Sequence, residues 1–207
     1  FGAMLGYSMR QQQYRYMWGK ANNVPEGKDE WLYLSQGNAE GVTLGDDGYC
    51  YRGQSYFTRL SYDYAGKYLL TFTMRADGSS KYQEHWGYFP SVGAAWVISE
   101  EDFMKDQKFF DYLKLRASYG ETGSQAITAY QSLASFSTTS YVLNGSSAVA
   151  LVPGRVPNPD LKWETTKQTD IGIDLSVLGG RISLVADYYY KKTVDLHYDK
   201  ILPYYTG

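Results

Sequence analysis

The sequence lacks the features that define several common classes of protein. It contains a single cysteine, Cys50, which excludes an internal disulfide framework and a cysteine-based zinc site. No stretch approaches the roughly 18 consecutive apolar residues that mark a membrane-spanning helix. The formal net charge is only −2, so no strong field attracts nucleic acid or an anionic surface. Taken alone, these absences favour a soluble protein.

Aromatic residues, in contrast, are abundant: the chain has 22 tyrosines, and 17% of its residues are aromatic. Tyrosine and tryptophan are favoured where one end of the ring is apolar and the other is wet. A soluble β-domain can also be rich in tyrosine. A membrane strand alternates lipid-facing and lumen-facing residues, so its average hydropathy is neutral. Composition therefore leaves a soluble β-protein and a membrane β-barrel both open.

Seven segments alternate apolar and polar residues with the period of two that a half-apolar sheet requires. In the third, for example, Leu70 and Phe72 alternate with Thr71 and Thr73. Within the fourth, Pro90 cannot donate a ladder hydrogen bond, which predicts a bulge or local break. The pattern predicts an all-β, antiparallel fold. Its strands are expected at about 1–18, 54–64, 68–77, 87–98, 112–121, 163–177 and 181–192.

The connections between these strands alternate in length. Long polar loops are predicted at about 19–53 and 122–162, and short turns at 65–67 and 178–180, while Ser99 is expected to cap a short helical turn. Long extracellular loops at one end and short periplasmic turns at the other are typical of outer-membrane barrels. An eleven-residue strand tilted by about 40° spans roughly 28 Å, close to the lipid-facing band of about 25 Å. The pattern therefore predicts transmembrane strands.

Seven strands are too few for such a barrel, because bacterial single-chain barrels have an even number of strands, from about eight upward. Each unpaired backbone group at an open edge costs several kcal/mol in hydrocarbon. The first residues, FGAMLGY, have no basic region or cleavage site of a signal peptide and resemble the middle of a strand. We therefore expect further chain to complete the ring.

Several motifs follow one another in a specific order along the chain. They are RADGSSK at 75–81, WGYFPSVGAAW at 86–96, ISEE at 98–101, LKLRASYG at 113–120, TG at 122–123, PNPDLKWETT at 157–166 and DYY at 187–189. As an ordered set they resemble the SusC/RagA-like TonB-dependent outer-membrane transporters. The resemblance covers about Ser55–Thr193.

This resemblance implies a barrel of about 22 strands filled by a plug domain, of which residues 1–207 would be a C-terminal part without the plug. It implies active import of a nutrient such as a glycan or peptide across the outer membrane of a Gram-negative bacterium. The implied partners are a SusD-like surface lipoprotein, the TonB complex acting through the plug, an oligosaccharide or peptide substrate, and outer-membrane lipid. No cofactor and no nucleic acid are implied.

Two sets of residues are candidates for contacts. Charged residues of the polar faces are predicted to line the lumen, where they contact the plug, border a solute path, or are simply solvated. Aromatic residues of the predicted loops are candidates to stack on sugar rings or pack on the lipoprotein, with packing inside the loops as the alternative. The first set is Arg59, Asp63, Arg75, Lys114, Arg116, Asp170, Asp174 and Asp187, and the second is Trp31, Tyr49, Tyr51, Tyr130 and Tyr141.

Catalytic and metal-binding residues are not predicted. His85 and His197 have no second ligand at strand or helical spacing, so both are interpreted as solvated loop residues. The stretch at 45–48, GDDG, lacks the later oxygen ligands of a calcium loop and is interpreted as a turn. Since no nucleophile, base and orienting group can be assembled, the sequence does not predict an enzyme.

Two other functions remain open at this stage. One is a passive porin or another surface β-barrel, which would lack a plug and a TonB-contacting segment. The other is a soluble β-sandwich that binds carbohydrate, in which Leu70, Phe72 and Ile171 would belong to a buried core.

Overall fold

The computed structural model describes residues 1–24, 35, 37–107 and 109–199. Across these residues it contains nine strands, and two short 3-10 helices, Ile98–Glu100 and Asp102–Met104, between the fourth and fifth. None of the helices in this described part is long and apolar enough to cross a membrane. The strands are β1 Gly2–Asn22, β2 Asn38–Tyr64, β3 Tyr68–Ser79, β4 Trp86–Val97, β5 Phe110–Ser124, β6 Ser135–Leu143, β7 Ser146–Arg155, β8 Glu164–Val177 and β9 Ile182–Val194.

Seven of the strands form one sheet in the order β1-β2-β3-β4-β5-β8-β9, and β6 and β7 pair only with each other. From β2 to β9 each neighbouring pair in the large sheet is antiparallel. Strands adjacent in the sheet are also consecutive along the chain, apart from the inserted β6–β7 hairpin. The prediction of an all-β antiparallel fold with seven sheet strands is confirmed.

The chain forms two compact units, one of Phe1–Met9 with Gly53–Gly207 and one of Arg10–Arg52. The second unit contains the distal parts of β1 and β2. The prediction of a loop over 19–53 was wrong, because β1 continues to Asn22 and β2 already begins at Asn38.

Cross-strand side-chain pairs explain this extension. The rings of Tyr14 and Tyr49 are 5.5 Å apart, and Arg15 Nη2 lies 3.2 Å from Asp46 Oδ2. Residues 45–48 are therefore strand rather than the predicted turn. Gly45 instead leaves room for Trp18, whose ring lies 2.5 Å from the position of a Cβ there.

The short turns lie where the sequence placed them. Ala65 and Gly66 have φ values of 55° and 67°, and Asp63 Oδ1 accepts a hydrogen bond of 2.8 Å from the Gly66 N–H. Gly179 and Gly180 also have positive φ, and the Gly180 N–H donates to Asp111 Oδ2 at 3.0 Å. Glycine adopts this backbone conformation without steric cost.

Two details near β4 and β5 differ from expectation or refine it. Pro90 causes no bulge against β3, where the register is continuous, but the β4–β5 ladder ends next to it, at Ser91 and Gly120. The predicted break therefore lies on the β5 side. Ser99 lies inside the first 3-10 helix rather than capping it, and its Oγ is buried without a hydrogen-bond partner in the described chain.

The predicted long loop over 122–162 contains the β6–β7 hairpin. Asn144 and Gly145 form its turn, with φ values of 51° and 76°, as the Asn-Gly dipeptide favours. The sequence did not predict these two strands, because the segment is rich in serine and threonine. The hairpin is also mostly exposed and has no buried apolar face, so it lacks the pattern of a half-buried strand.

Candidate functional site

The sheet register sorts side chains into two faces of opposite character. Residues directly paired across strands lie on the same face, so each row of partners can be followed across β2 to β9. One row is Tyr62, Leu70, Ala94, Ala117, Ile171 and Tyr188, and the next is Ser61, Thr71, Gly93, Ser118, Asp170 and Tyr189. We refer to the first row's side as the apolar face and to the second row's side as the polar face.

The apolar face stays exposed although its side chains are large. Phe72 is 41% exposed, Leu184 52% and Ile171 57%. No described element of the chain packs over these residues, as a soluble sandwich would require. A contiguous exposed apolar surface of this extent marks contact with a protein or with lipid.

A network of four charges occupies the polar face on β5, β8 and β9. Arg116 Nη2 lies 2.8 Å from Asp174 Oδ1 and 3.0 Å from Asp187 Oδ1, and Lys114 Nζ lies 3.6 Å from Asp174 Oδ2. Gly172 pairs in register with both Arg116 and Asp187, and a Cβ there would lie 2.2 Å from Asp187 Oδ1. The glycine thus leaves the space in which the charges meet.

The other predicted lumen residues lie on the same face but in separate contacts. Asp170 accepts hydrogen bonds from Ser118 Oγ and Gln168 Nε2. Arg75 Nε lies 2.7 Å from Asp77 Oδ2. Asp63 accepts the hydrogen bond from the Gly66 N–H in the turn, and Arg59 lies opposite Thr73 in the register.

A shallow depression of about 290 Å³ connects part of this set. Its lining includes Thr71, Arg116, Ser118, Asp170 and Asp187. The geometry therefore provides a groove with charges of both signs. That this groove faces a lumen stays a prediction.

The predicted loop aromatics do not form one site. Tyr49 and Tyr51 lie in β2 and Tyr141 lies in β6, so the prediction of a loop position was wrong for all three. Extended pairing accounts for this, since Tyr49 accepts a 3.0 Å hydrogen bond from Gln12 Nε2 of β1. Tyr130 does lie outside a strand, at φ 63°, and its carbonyl accepts from Arg155 Nη1 at 3.2 Å. Trp31 lies outside the described residues.

A small core at the long-loop end contains residues of the sequence motifs. We call Tyr82, Phe89, Ile127 and Trp163 the loop core, and they are between 1% and 7% exposed. The Trp163 ring is 5.2 Å from Tyr82 and 5.5 Å from Phe89. Phe89 pairs in register with Arg75, so the loop core lies on the polar side of the sheet.

Polar contacts and one glycine complete the loop core. The indole N–H of Trp163 donates to the carbonyl of His85 at 3.4 Å, and Tyr82 Oη donates to the carbonyl of Ser124 at 3.3 Å. A Cβ on Gly123 would lie 2.0 Å from the Phe89 ring. The sequence motifs contain Phe89, Gly123 and Trp163 but not Tyr82 or Ile127. That these residues pack together was missed, because they are far apart along the chain.

The two histidines differ in their surroundings. His85 is exposed, and its Nδ1 is hydrogen-bonded with the carbonyl of Tyr82. His197 is half-buried, its Nε2 lies 2.7 Å from the Lys162 carbonyl, and its ring is 6.0 Å from Tyr82. The interpretation as a solvated residue was therefore wrong for His197. The described residues contain no group of three or more side chains suited to hold a metal ion.

At the short-turn end, three side chains converge on one carboxylate. Glu101 accepts hydrogen bonds from Tyr68 Oη at 2.6 Å, Trp96 Nε1 at 3.0 Å and Lys67 Nζ at 3.1 Å. The Tyr68 and Trp96 rings are stacked 6.4 Å apart. The hydrogen bonds from Tyr68, Trp96 and Lys67, in that order, hold the pKa of Glu101 below its ordinary value. These hydrogen bonds attach the segment of the two 3-10 helices to Tyr68 of β3 and Trp96 of β4.

A family model described as "TonB dependent receptor-like, beta-barrel" matches residues 2–206. The chain belongs to this receptor family. It is 46% identical over 155 residues to the TonB-dependent receptor P26 of Formosa agariphila, which covers 74% of this chain and 16% of that protein. It is 41% identical over 155 residues to the TonB-dependent receptor SusC of Bacteroides thetaiotaomicron, which covers 69% of this chain and 15% of that protein. The chain thus spans about one sixth of the length of these relatives.

Solved structures agree with the family. The RagAB peptide importer in its closed-closed state matches this receptor barrel with a TM-score of 0.82 and 26% identity, over 99% of this chain and 22% of that chain. The same importer in its open-open state matches with a TM-score of 0.74 and 26% identity, over 99% and 23%. The predicted SusC/RagA-like family and barrel fold are confirmed, and a soluble sandwich is excluded.

Proposed function

We propose that the receptor to which this chain belongs imports a nutrient across the outer membrane of a Gram-negative bacterium, with energy supplied through TonB. The observation that carries the proposal is the register itself. It places an exposed apolar row beside a polar row over six strands, in a chain of the TonB-dependent receptor family. The apolar face contacts lipid, and the polar face contacts the lumen and the plug.

The proposal extends to the parts of the receptor outside this chain. Residues 1–207 form a C-terminal part of a barrel of about 22 strands, whose plug lies elsewhere in the receptor. A SusD-like surface lipoprotein covers the long-loop end and delivers the substrate. The substrate is a peptide or an oligosaccharide, and the similarity to a structure described as a peptide importer supports the first.

Two groups of residues receive roles in this proposal. The network of Lys114, Arg116, Asp174 and Asp187 holds the plug by charge-assisted hydrogen bonds or borders the solute path. Tyr130 and Tyr141 are 48% and 62% exposed, and they contact substrate or lipoprotein at the loop end.

Uptake measurements test the proposal. Cells that carry the receptor, cells that lack its gene and cells that lack TonB are given fluorescein-labelled tryptic peptides or fluorescein-labelled malto-oligosaccharides. We expect uptake of one of these probes in the first strain alone. Uptake that depends on the receptor but persists without TonB would identify a passive porin instead. A monosaccharide that crosses general porins serves as the control, because its uptake should be equal in all three strains.

A further inference from the structure

A row of charges follows directly after an aromatic row on the apolar face, at the long-loop end. Tyr119, Thr169 and Tyr190 pair across β5, β8 and β9, and the next row on the same face is Glu121, Lys167 and Lys192. Tyr119 and Tyr190 are 37% and 60% exposed, as expected for rings at a membrane–water interface. The polar boundary of the proposed membrane therefore lies between these two rows.

The row of Glu121, Lys167 and Lys192 contains two ammonium groups and one carboxylate, so one positive charge is not neutralised within it. Lys167 Nζ lies 3.0 Å from Glu121 Oε1, and the same oxygen accepts a 2.5 Å hydrogen bond from Tyr119 Oη. No carboxylate of the described residues lies within ion-pair distance of Lys192, which is exposed and directly opposite Lys167. Asp195, three residues after Lys192, already forms an ion pair with Lys162 Nζ at 3.1 Å.

Two ammonium groups directly opposite each other repel and destabilise a strand pair. An anion placed between them removes this repulsion. A phosphate is suited to the place, because it accepts several charge-assisted hydrogen bonds at once. Lysine side chains at this depth also extend toward the headgroup layer while their methylene groups remain on apolar surface.

We propose that Lys167 and Lys192, with the rim hydroxyl of Tyr190, form a binding site for the phosphate of an anionic lipid headgroup in the loop-side leaflet. This inference rests on the proposed membrane orientation of the barrel. It assigns one specific lipid contact to a surface that otherwise needs only hydrocarbon.

The test uses the full-length receptor in a neutral detergent and measures bound lipid by native mass spectrometry. Phosphorylated lipid A is the probe, and dephosphorylated lipid A and sodium phosphate are the comparison ligands. The variant is Lys167→Gln with Lys192→Gln, and the matched control is Lys191→Gln, one residue away on the polar face. We expect the double variant to bind phosphorylated lipid A roughly tenfold more weakly, and the control to bind as the unchanged receptor does.

Three results would overturn the site. They are equal binding by the double variant, equal binding of dephosphorylated lipid A, or displacement of lipid A by millimolar phosphate alone, which would indicate a site for a free anion. A Lys167→Arg, Lys192→Arg variant keeps the charge and should bind normally, so a folding defect is distinguished from loss of the site. If a cysteine at position 72 still reacts from the lipid side while the lysine variants have no effect, only the headgroup site fails and the barrel orientation stands.

Discussion

Single glycines decide how closely side chains approach this sheet. Gly123 lies under the Phe89 ring, which is 7% exposed and held by Trp163, so the ring cannot move away from an added methyl group. Gly93 lies in the same sheet, but a Cβ there would meet only Ser118 Cβ, at 3.8 Å. Comparing substitutions at Gly123 and Gly93 therefore separates the effect of crowding from the general effect of replacing a strand glycine.

We therefore predict that Gly123→Ala destabilises the full-length receptor by about 1–3 kcal/mol, the usual cost of overpacking a filled site. Gly93→Ala should leave stability nearly unchanged. Urea unfolding in detergent, followed by tryptophan fluorescence, measures both. Equal midpoints for the two variants would show that the Phe89 ring has room to shift.

The Glu101 carboxylate gives the turn end a pH dependence. Its pKa is lowered by hydrogen bonds from Tyr68, Trp96 and Lys67, so its contribution to stability is present above the ordinary value of 4.5. The contribution is lost as the pH falls below 4.5 and through the folded-state pKa.

We predict that the melting temperature of the receptor falls with pH in this range, and that Glu101→Gln removes part of the fall. Glu100→Gln is the control, since the neighbouring carboxylate accepts no side-chain hydrogen bond in the described residues and is exposed. Melting is followed by the loss of the heat-modifiable band on electrophoresis. A slope that Glu101→Gln leaves unaltered would contradict the assignment.

At the scale of elements, the β6–β7 hairpin and the loop core differ in how they join the large sheet. The hairpin strands pair only with each other, and Ser135 pairs with Arg155, so the two ends of the hairpin lie side by side. The loop core connects segments that follow β3, β5 and β7, because Tyr82, Ile127 and Trp163 meet there. The loop core includes Phe89 of β4, whereas the hairpin strands pair with no strand of the large sheet.

We predict that replacing residues 135–155 by a short Gly-Ser linker leaves the amount of folded receptor in the outer membrane unchanged. Trp163→Ala should instead cost about 3–5 kcal/mol, the range for truncating a large buried aromatic. Quantitative immunoblotting of unheated samples compares the two. If deletion of the hairpin reduced the folded fraction as much as Trp163→Ala does, the hairpin would be part of the folding unit.

For the whole molecule, the proposal requires that neighbouring residues of every sheet strand contact different media. Phe72 and Thr71 are adjacent in β3 and belong to opposite faces in the register. Hydrocarbon is expected at the first and water or plug at the second.

We predict that a cysteine at position 72 is quenched by a membrane-embedded probe and that one at position 71 is not. The labelled receptor is full-length, with its native cysteines, Cys50 included, replaced by serine. The native Phe72 and Thr71 are each replaced in turn. Lipid-side quenching at position 71 rather than 72 would reverse the facing of the sheet.

The alternation of residues along the strands was enough to predict much of this fold. Leu70 and Phe72 against Thr71 and Thr73 fixed the faces of β3, and Gly66 and Gly179 marked two short turns, because both signals are local in sequence. The distal parts of β1 and β2 were missed because they are polar and glycine-rich. Their strand conformation depends on contacts such as Tyr14 with Tyr49, which are distant in sequence.

The candidate site, too, has one part that the sequence predicts and another that only the tertiary structure determines. A period of two determines that Arg116, Asp174 and Asp187 share a face, and the sequence alone establishes this. Only the register decides that these three form one network, since their pairing depends on distances across strands, whereas Arg75 pairs with Asp77 of its own strand. The same holds for the loop core, because Tyr82, Phe89 and Trp163 become neighbours only when three loops close over the end of the sheet.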